Sequence, residues 1–338
     1  MTAKQRLPDR KSKVTVREVA LRANVSESTV SRILRNKGPI ADDTREKVME
    51  VVRAMGYVPN RIAGSLASLN SNLVGVIIPS LSNIVFPEVL QGIHAGLEAT
   101  DNMQAVISIS NYDVELEENV IRGLLAWKPA AVLTTGFEHS DATRRMLELS
   151  DVRVVEMMDI DSDPIDIAVG MSHRSAGYAT GRHLVEKGWR RFGYVGHNLD
   201  NDRRARLRFE GLRSALFEAG LDIAARAVAG SASSVGAGKQ MTAQLLDGDT
   251  PVDVIVYSND DMAVGGVFHC QSAGISIPGD VAVFGFNGLD IGFQMPQPLS
   301  TIRSNRFLIG KTAIEAMLTE PAGTKIDTGF EIFEGGTA

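Results

Sequence analysis

Residues 14–38, VTVREVALRANVSESTVSRILRNKG, crowd basic and short polar side chains onto a helical period, inside a chain of net charge −6. Guanidinium and hydroxyl groups at that density suit hydrogen bonding to phosphate oxygens and base edges. Groups that would do covalent or metal chemistry do not assemble elsewhere. Gly236-Ala-Gly-Lys239 is tempting as a phosphate loop, but Ser233 and Gln240 stand where such a loop needs glycine and a Ser or Thr, so it reads as a loop entering a helix. The six histidines show no paired metal spacing, and His94 and His183 are expected on helix surfaces. No Gly-x-Ser-x-Gly elbow occurs, and the single cysteine, Cys270, falls in a predicted helix. A second basic run, Arg203-Arg-Ala-Arg-Leu-Arg208, cannot turn all its helical positions toward one groove. The chain therefore reads as a non-enzyme with no cofactor and no metal.

The elements that must position the first stretch follow from its periodicity. Val16, Val19, Ala20 and Ala23 recur at helical spacing, which predicts a helix over Val16–Arg22. Asn24 can end it in a left-handed conformation. Ser26 then caps a second helix, Glu27–Leu34, with Val30, Ile33 and Leu34 on its apolar face. Two short helices across a tight turn form a helix-turn-helix, whose second helix lies in the major groove of DNA. Charge agrees: residues 1–70 hold 14 Lys and Arg against 7 Asp and Glu, net +7, while the remainder holds 21 against 34, net −13. A basic head on an acidic body is the electrostatic outline of a nucleic-acid-binding module. No apolar run is long enough to span a membrane, the N-terminus lacks the apolar core of a secretory signal, and one cysteine fits a reducing cytoplasm.

The stretch resembles the headpiece of the LacI family of bacterial repressors, in T-V-R-E-V-A followed by V-S-x-x-T-V-S-R. Thr44-Arg-Glu-Lys-Val48 through Gly56-Tyr-Val-Pro-Asn-Arg61 matches that family's third helix and hinge, and the likeness runs essentially end to end. The resemblance implies that Glu27 and Ser28 open the recognition helix, with Arg32 one turn on, as base-reading residues. Thr15, Ser26, Thr29, Ser31 and Asn36 are then phosphate positioners. Asn60 begins a hinge helix, Asn60–Ala67, in which Leu66 matches the family's minor-groove wedge. Gly64 departs from the usual helix former and costs about 1 kcal/mol there, so the hinge should order reluctantly without DNA.

From Asn72 the pattern changes. Leu73-Val-Gly-Val-Ile-Ile-Pro79, Gln104–Ser108, Ala131–Thr134, Arg153–Glu156, Arg191–Val195, Val254–Tyr257 and Val281–Phe286 read as strands. Helical patterns lie between them, over Pro87–Ala99, Leu116–Trp127, Arg174–Lys187, Arg206–Ala219, Val235–Leu246 and Asp261–Ala273. Apolar strands alternating with amphipathic helices predict parallel sheets covered on both faces, too many for one sheet. The fold class expected is α/β: an all-α helix-turn-helix headpiece (1–59), a hinge and linker (60–71), and a two-lobed core of doubly wound parallel sheets (72–335). The resemblance makes this a periplasmic-binding-protein-like core, with lobe one at 72–170 and 302–335 and lobe two at 171–301.

It also implies a ligand cleft outside the carboxyl ends of the strands. Phe86 matches an aromatic wall, Arg208 an arginine that grips hydroxyls or a carboxylate, and Asn259-Asp260 a polar pair; Asp260 could instead cap the following helix. Asn287 stands where the family usually has aspartate. Removing that charge, with Arg208 nearby, favours an anionic ligand. Pro79–Ile93, Val155–Asp159 with Asp166–Gly170, Asn259–Gly265 and Leu289–Gly292 resemble the gluconate-repressor branch. Met171-Ser172 departs from the family's usual Asp-Asn pair, so contacts from that loop are left open.

The expectation is a cytoplasmic repressor that binds double-stranded operator DNA as a homodimer and is induced by a sugar acid such as gluconate. A neutral sugar or a co-repressor would suit the same fold, and a sugar-transport protein would share only the body. With no heptad repeat near residue 338, a dimer is expected rather than a tetramer.

Overall fold

A computed structural model describes residues 14–34, 38–58, 71–81, 83–100, 102–197, 199, 200 and 202–338. The chain divides near residue 70 into two compact units. In the first, Thr15 opens α1 (Val16–Ala23) through a capping box: its hydroxyl accepts from the Glu18 amide, and the Glu18 carboxylate accepts from the Thr15 amide at 2.7 Å. Asn24 closes the helix at φ 55°. The Ser26 hydroxyl accepts from the Thr29 amide at 3.1 Å as α2 (Glu27–Leu34) begins. α3 (Asp42–Met55) ends at Gly56, whose φ of 60° suits glycine. Val19, Ala20, Ala23, Val30, Ile33, Val48 and Val52 form one buried cluster, the apolar stripes of the three helices. The expected hinge helix, with Asn60 and Leu66, and Asn36 beyond α2, lie outside the described residues.

The second unit holds two six-stranded sheets. Lobe one begins with β1 (Leu73–Ile78), α4 (Phe86–Glu98), β2 (Gln104–Ile109), α5 (Val114–Ala126), β3 (Ala131–Thr135), α6 (Asp141–Glu148), β4 (Arg153–Asp159) and β5 (Ile167–Met171). Lobe two follows with α7 (His173–Glu186), β6 (Phe192–His197), α8 (Arg203–Glu218), β7 (Ile223–Ala229), α9 (Val235–Leu246), β8 (Val254–Tyr257), α10 (Asp260–Ala273), β9 (Ala282–Asn287), α11 (Asp290–Phe293) and β10 (Ser300–Ser304). α12 (Arg306–Thr319) and β11 (Thr324–Asp327) return to lobe one, and β12 (Phe330–Phe333) ends in lobe two. The strand orders are β11-β5-β4-β3-β1-β2 and β12-β10-β9-β8-β6-β7. All neighbours are parallel except β10 and β12.

The chain thus passes between lobes three times, but the expected boundary at 301/302 is corrected. β10 pairs with β9, and β12 with β10, so of the 302–335 segment only α12 and β11 belong to lobe one. The half-polar Ser-Thr-Ile-Arg-Ser of β10 carries no label for its sheet; long-range pairing decides it.

Apolar strands are covered on both faces, as their composition requires. In lobe one, α4 and α12 cover one face, and α5 and α6 the other. In lobe two, α7 and α8 cover one face, and α9 and α10 the other. Two helix pairs in lobe two approach through reciprocal glycines. A Cβ on Gly177 would fall 1.9 Å from the Arg208 carbonyl oxygen, and one on Gly211 2.1 Å from that of Arg174. On the opposite face, Gly238 and Gly265 meet the carbonyls of Met262 and Val235 in the same way.

Candidate functional site

The ends of β3, β4, β6, β8 and β9 and the helices that follow them bring a polar group together between the lobes, where a doubly wound fold places its ligand. Asp202 caps α8 by accepting from the Ala205 amide at 3.0 Å, and this sets the direction of the arginines on that helix's first turns. Burial would raise the Asp202 carboxyl, but the hydrogen bond from His197 and the charges of Arg204 and Arg208 win and hold it well below the usual carboxylate range. Arg203 reaches across the cleft to pair with Asp159 at the end of β4, donates to the Ser162 hydroxyl at 2.7 Å, and lies 5.6 Å from the Phe137 ring centre. Burial pushes the Asp159 carboxyl up, opposed by that pairing.

Arg204 differs from its neighbours. Its guanidinium carbon lies 6.0 Å from the ring centre of Phe86 in lobe one, and it makes no hydrogen bond or ion pair to any described residue. Arg206 turns back to the carbonyls of Leu199 and Asp200. The basic run of α8 is therefore a cleft element, not a second nucleic-acid surface.

Arg208 stacks 4.0 Å from the Phe286 ring centre and donates to the Ser258 carbonyl at 2.9 Å and to His173 Nδ1 at 3.1 Å. His173 is the first residue of α7, where the chain enters lobe two. Its Nε2 donates to the Met158 carbonyl of lobe one at 2.9 Å, so Nδ1 must be the acceptor for Arg208. Burial, with Arg208 and Arg204 nearby, keeps the His173 pKa well below that of ordinary imidazole, which fits the neutral form this relay needs. Arg208 Nε and the Tyr194 hydroxyl are buried without a hydrogen-bond partner among the described residues and line the same small cavity.

The other expected contacts divide. Asn259 caps α10, its side-chain oxygen accepting from the Met262 amide at 3.1 Å, while its side-chain nitrogen bonds to no described residue. Asn287 ends β9 at φ 127°, a conformation that side-chain-bearing residues rarely adopt, and its side chain bonds to no described residue. Two expectations are corrected. Asp260 is wholly buried: its carboxylate accepts from the Thr301 hydroxyl and the Leu289 amide, both at 2.7 Å, and burial pushes its pKa up to about 6. It neither faces a ligand nor caps the helix, because Asn259 takes the cap. Phe86 is likewise fully enclosed in the lobe-one core at the start of α4, so it backs the cleft instead of lining it. Ser172, in the open loop, caps α7 and donates to Asp161 at 2.6 Å.

In the first unit, Glu27, Ser28 and Arg32 are exposed on the side of α2 away from Val30 and Ile33. Thr15 is occupied by its capping box, and the Ser26 hydroxyl lies 2.8 Å from both the Ser28 and Thr29 hydroxyls. Ser31 is half-buried. Sequence reasoning gave no cleft role to Asp159 or His173, and weighed Arg203 and Arg204 only as part of a basic run. The available signal was position alone: each is polar and falls at a strand end or in the first turn of the next helix.

Residues 15–60 match the model for bacterial regulatory proteins of the lacI family, and residues 71–330 that for periplasmic binding proteins and the sugar-binding domain of the LacI family. The chain belongs to the LacI family. It is 40% identical over 324 residues to the HTH-type transcriptional regulator GntR of Pseudomonas aeruginosa, covering 94% of each chain. GntR of Escherichia coli K12 is 32% identical over 333 residues, with 97% of this chain and 99% of that protein covered. A crystal structure of a LacI-family transcriptional regulator from Silicibacter pomeroyi superposes with a TM-score of 0.89 at 41% identity, covering 96% of this chain and 99% of that one. This LacI-family protein is a transcriptional regulator, not an enzyme, and its DNA binding is under ligand control. LacI-family regulators bind operator DNA and small-molecule effectors and act as dimers. No helix among the described residues is long and apolar enough to cross a membrane.

Proposed function

We propose that this regulator is a repressor whose inducer is a sugar acid, gluconate or a close relative, held between the lobes by Arg204, Arg208, Asn259 and Asn287. One observation carries the acid: Arg204 is a half-buried guanidinium in the cleft that makes no hydrogen bond or ion pair to any described residue, though its charge is felt by Asp202 and Glu138. A carboxylate there gains a charge-assisted, forked hydrogen bond. Two further features support the choice. The Asp159 carboxylate at the cleft is already paired with Arg203, and Asn287 contributes no charge. The relatives at 40% and 32% identity carry the name GntR, the gluconate repressor. Asn259 and Asn287 offer neutral donors and acceptors for the sugar hydroxyls.

In the headpiece, Glu27, Ser28 and Arg32 take the base edges of each half-site. A bidentate Arg32–guanine contact is worth about 1–3 kcal/mol. Effector binding stabilises the lobe arrangement that separates the two headpieces of a homodimer. The coupling needed to weaken operator binding usefully is about 1–3 kcal/mol.

The test is thermal unfolding of the wild type and of Arg204→Gln with gluconate, other aldonic acids and matched neutral sugars, followed by operator-release titration. Near 100 Kd a ligand adds about 2.7 kcal/mol, a rise of a few degrees. The expected result is a response to sugar acids that Arg204→Gln weakens at least tenfold. A response to neutral sugars alone sinks the acid assignment, and tighter operator binding on addition of the acid sinks the inducer role.

A further inference from the structure

The turn that ends β9 is gripped from both sides by groups of opposite charge. Asn287 and Gly288 take consecutive positive φ angles, 127° and 67°. A Cβ on Gly288 would fall 2.8 Å from Arg303 Cγ and 3.0 Å from its Cα, so only glycine fits there. The amide side of the turn is held by Asp260, which accepts from the Leu289 amide at 2.7 Å. The carbonyl side is held by Arg306, which donates from Nη1 to the Asn287 carbonyl and from Nη2 to the Gly288 carbonyl at 3.3 Å. Arg306 is itself 3% exposed and forks onto Glu88, with Nε to Oε2 at 3.0 Å and Nη2 to Oε1 at 2.9 Å.

These partners belong to different bodies. Asn287 and Gly288 are in lobe two, Glu88 is in the first turn of α4 in lobe one, and Arg306 is the first residue of α12, just past the second crossing between lobes. The next residue of the turn, Leu289, is 2% exposed and packs into the lobe-one core with Val89 and Ile309. Backbone strain persists where the surroundings over-determine it, and here a planar five-donor cation meets two carbonyls and a carboxylate at once. Lysine, a point charge, cannot reproduce that fork.

We propose that Arg306, anchored by Glu88, is a positioning residue: it holds Asn287 in its strained, effector-facing conformation and ties that conformation to lobe one. Closure of the cleft on a ligand at Asn287 is then felt directly by α4 and α12. The proposal rests on the reading of Asn287 as an effector contact.

The experiment uses the full-length protein with Glu88→Gln, Arg306→Lys, Arg306→Gln and the double variant Glu88→Gln/Arg306→Gln. Glu88 is half-exposed, so its variant tests the idea even if loss of Arg306 impairs folding. Amide hydrogen exchange is read first, without ligand. Exchange at Leu289 is expected to rise at least tenfold in Arg306→Gln and Glu88→Gln, with little recovery in Arg306→Lys and no further rise in the double variant. Gluconate-dependent operator release is read second. Its midpoint is expected to move up at least tenfold, while operator affinity without ligand stays within twofold of wild type. Unchanged exchange at Leu289 overturns the proposal whatever the ligand. Faster exchange with an unmoved midpoint, in a wild type that responds, overturns the positioning role. A wild type that ignores every sugar acid ends the sugar-acid reading instead, and the exchange result still decides for Arg306.

Discussion

The two lobes carry sheets of equivalent strand order, yet they secure their outer faces by different means. Lobe two closes both faces with helix pairs whose backbones touch through glycine: α7 with α8 at Gly177 and Gly211, and α9 with α10 at Gly238 and Gly265. Lobe one does this on one face only, where Gly92 and Gly310 meet the carbonyls of Phe307 and Val89. On its other face, under α5 and α6, a charged network takes the place of backbone contact. His139 Nδ1 lies 2.5 Å from Glu117 Oε1, and its Nε2 lies 3.3 Å from Glu156 Oε1, close enough for charge pairing but off hydrogen-bond geometry. Glu156, wholly buried on β4, also accepts from the Ile165 amide at 2.6 Å. Steric locks are indifferent to pH, whereas a buried ion cluster is not. Equivalent strand order therefore does not mean equal response to conditions.

The largest effect expected on that contrast comes from removing the ion cluster's cation. His139→Gln leaves a buried carboxylate uncompensated and should cost about 3 kcal/mol in urea unfolding. Burial disfavours the imidazolium, but Glu117 and Glu156 outweigh it and raise its pKa to about 9. Because the folded value lies above the ordinary one, this stabilisation is complete below about pH 6.5 and lost as pH rises through about 9. The wild type should weaken across that window and the variant should not. A parallel decline in both would mean that His139 is not the titrating group.

Next in size is Gly238→Ala in lobe two, whose added carbon falls 2.2 Å from the Met262 carbonyl. Separating α9 from α10 should cost about 2 kcal/mol, with no change in the pH profile. A neutral outcome would show that the glycine contact gives way freely and that the contrast between lobes is not energetic.

The smallest effect expected lies where the lobes meet. A double-mutant cycle of Asp159→Asn and Arg203→Gln should give a coupling of about 1 kcal/mol in unfolding. The same cycle measured on effector affinity tells whether the pair favours the liganded arrangement. Strict additivity in both would remove Arg203–Asp159 as a link across the cleft.

Much of this was legible in residue order. Helix ends in the headpiece follow from Thr15, Asn24 and Ser26, because capping is local chemistry over three or four residues. Most core strands announced themselves as apolar runs. The β5 segment Ile167–Met171 and the β7 segment Ile223–Ala229 were passed over, the second because Arg226 and its alanines dilute the signal. α6 was missed because its eight residues, DATRRMLE, bury only Thr143 and Leu147.

For the cleft, the family resemblance implied Arg208, Asn259 and Asn287, and residue order established the charge division between headpiece and core. Only the tertiary structure decided that Asp260 is consumed by Thr301 and Leu289, that Phe86 is enclosed, and that Arg204 makes no ion pair among the described residues while Arg203 does. The difference has one physical cause. Caps, periodicity and composition act between neighbours in the chain, whereas pairing and desolvation depend on groups brought together from far along it, 29 residues for Asp260 and Leu289 and 44 for Arg203 and Asp159.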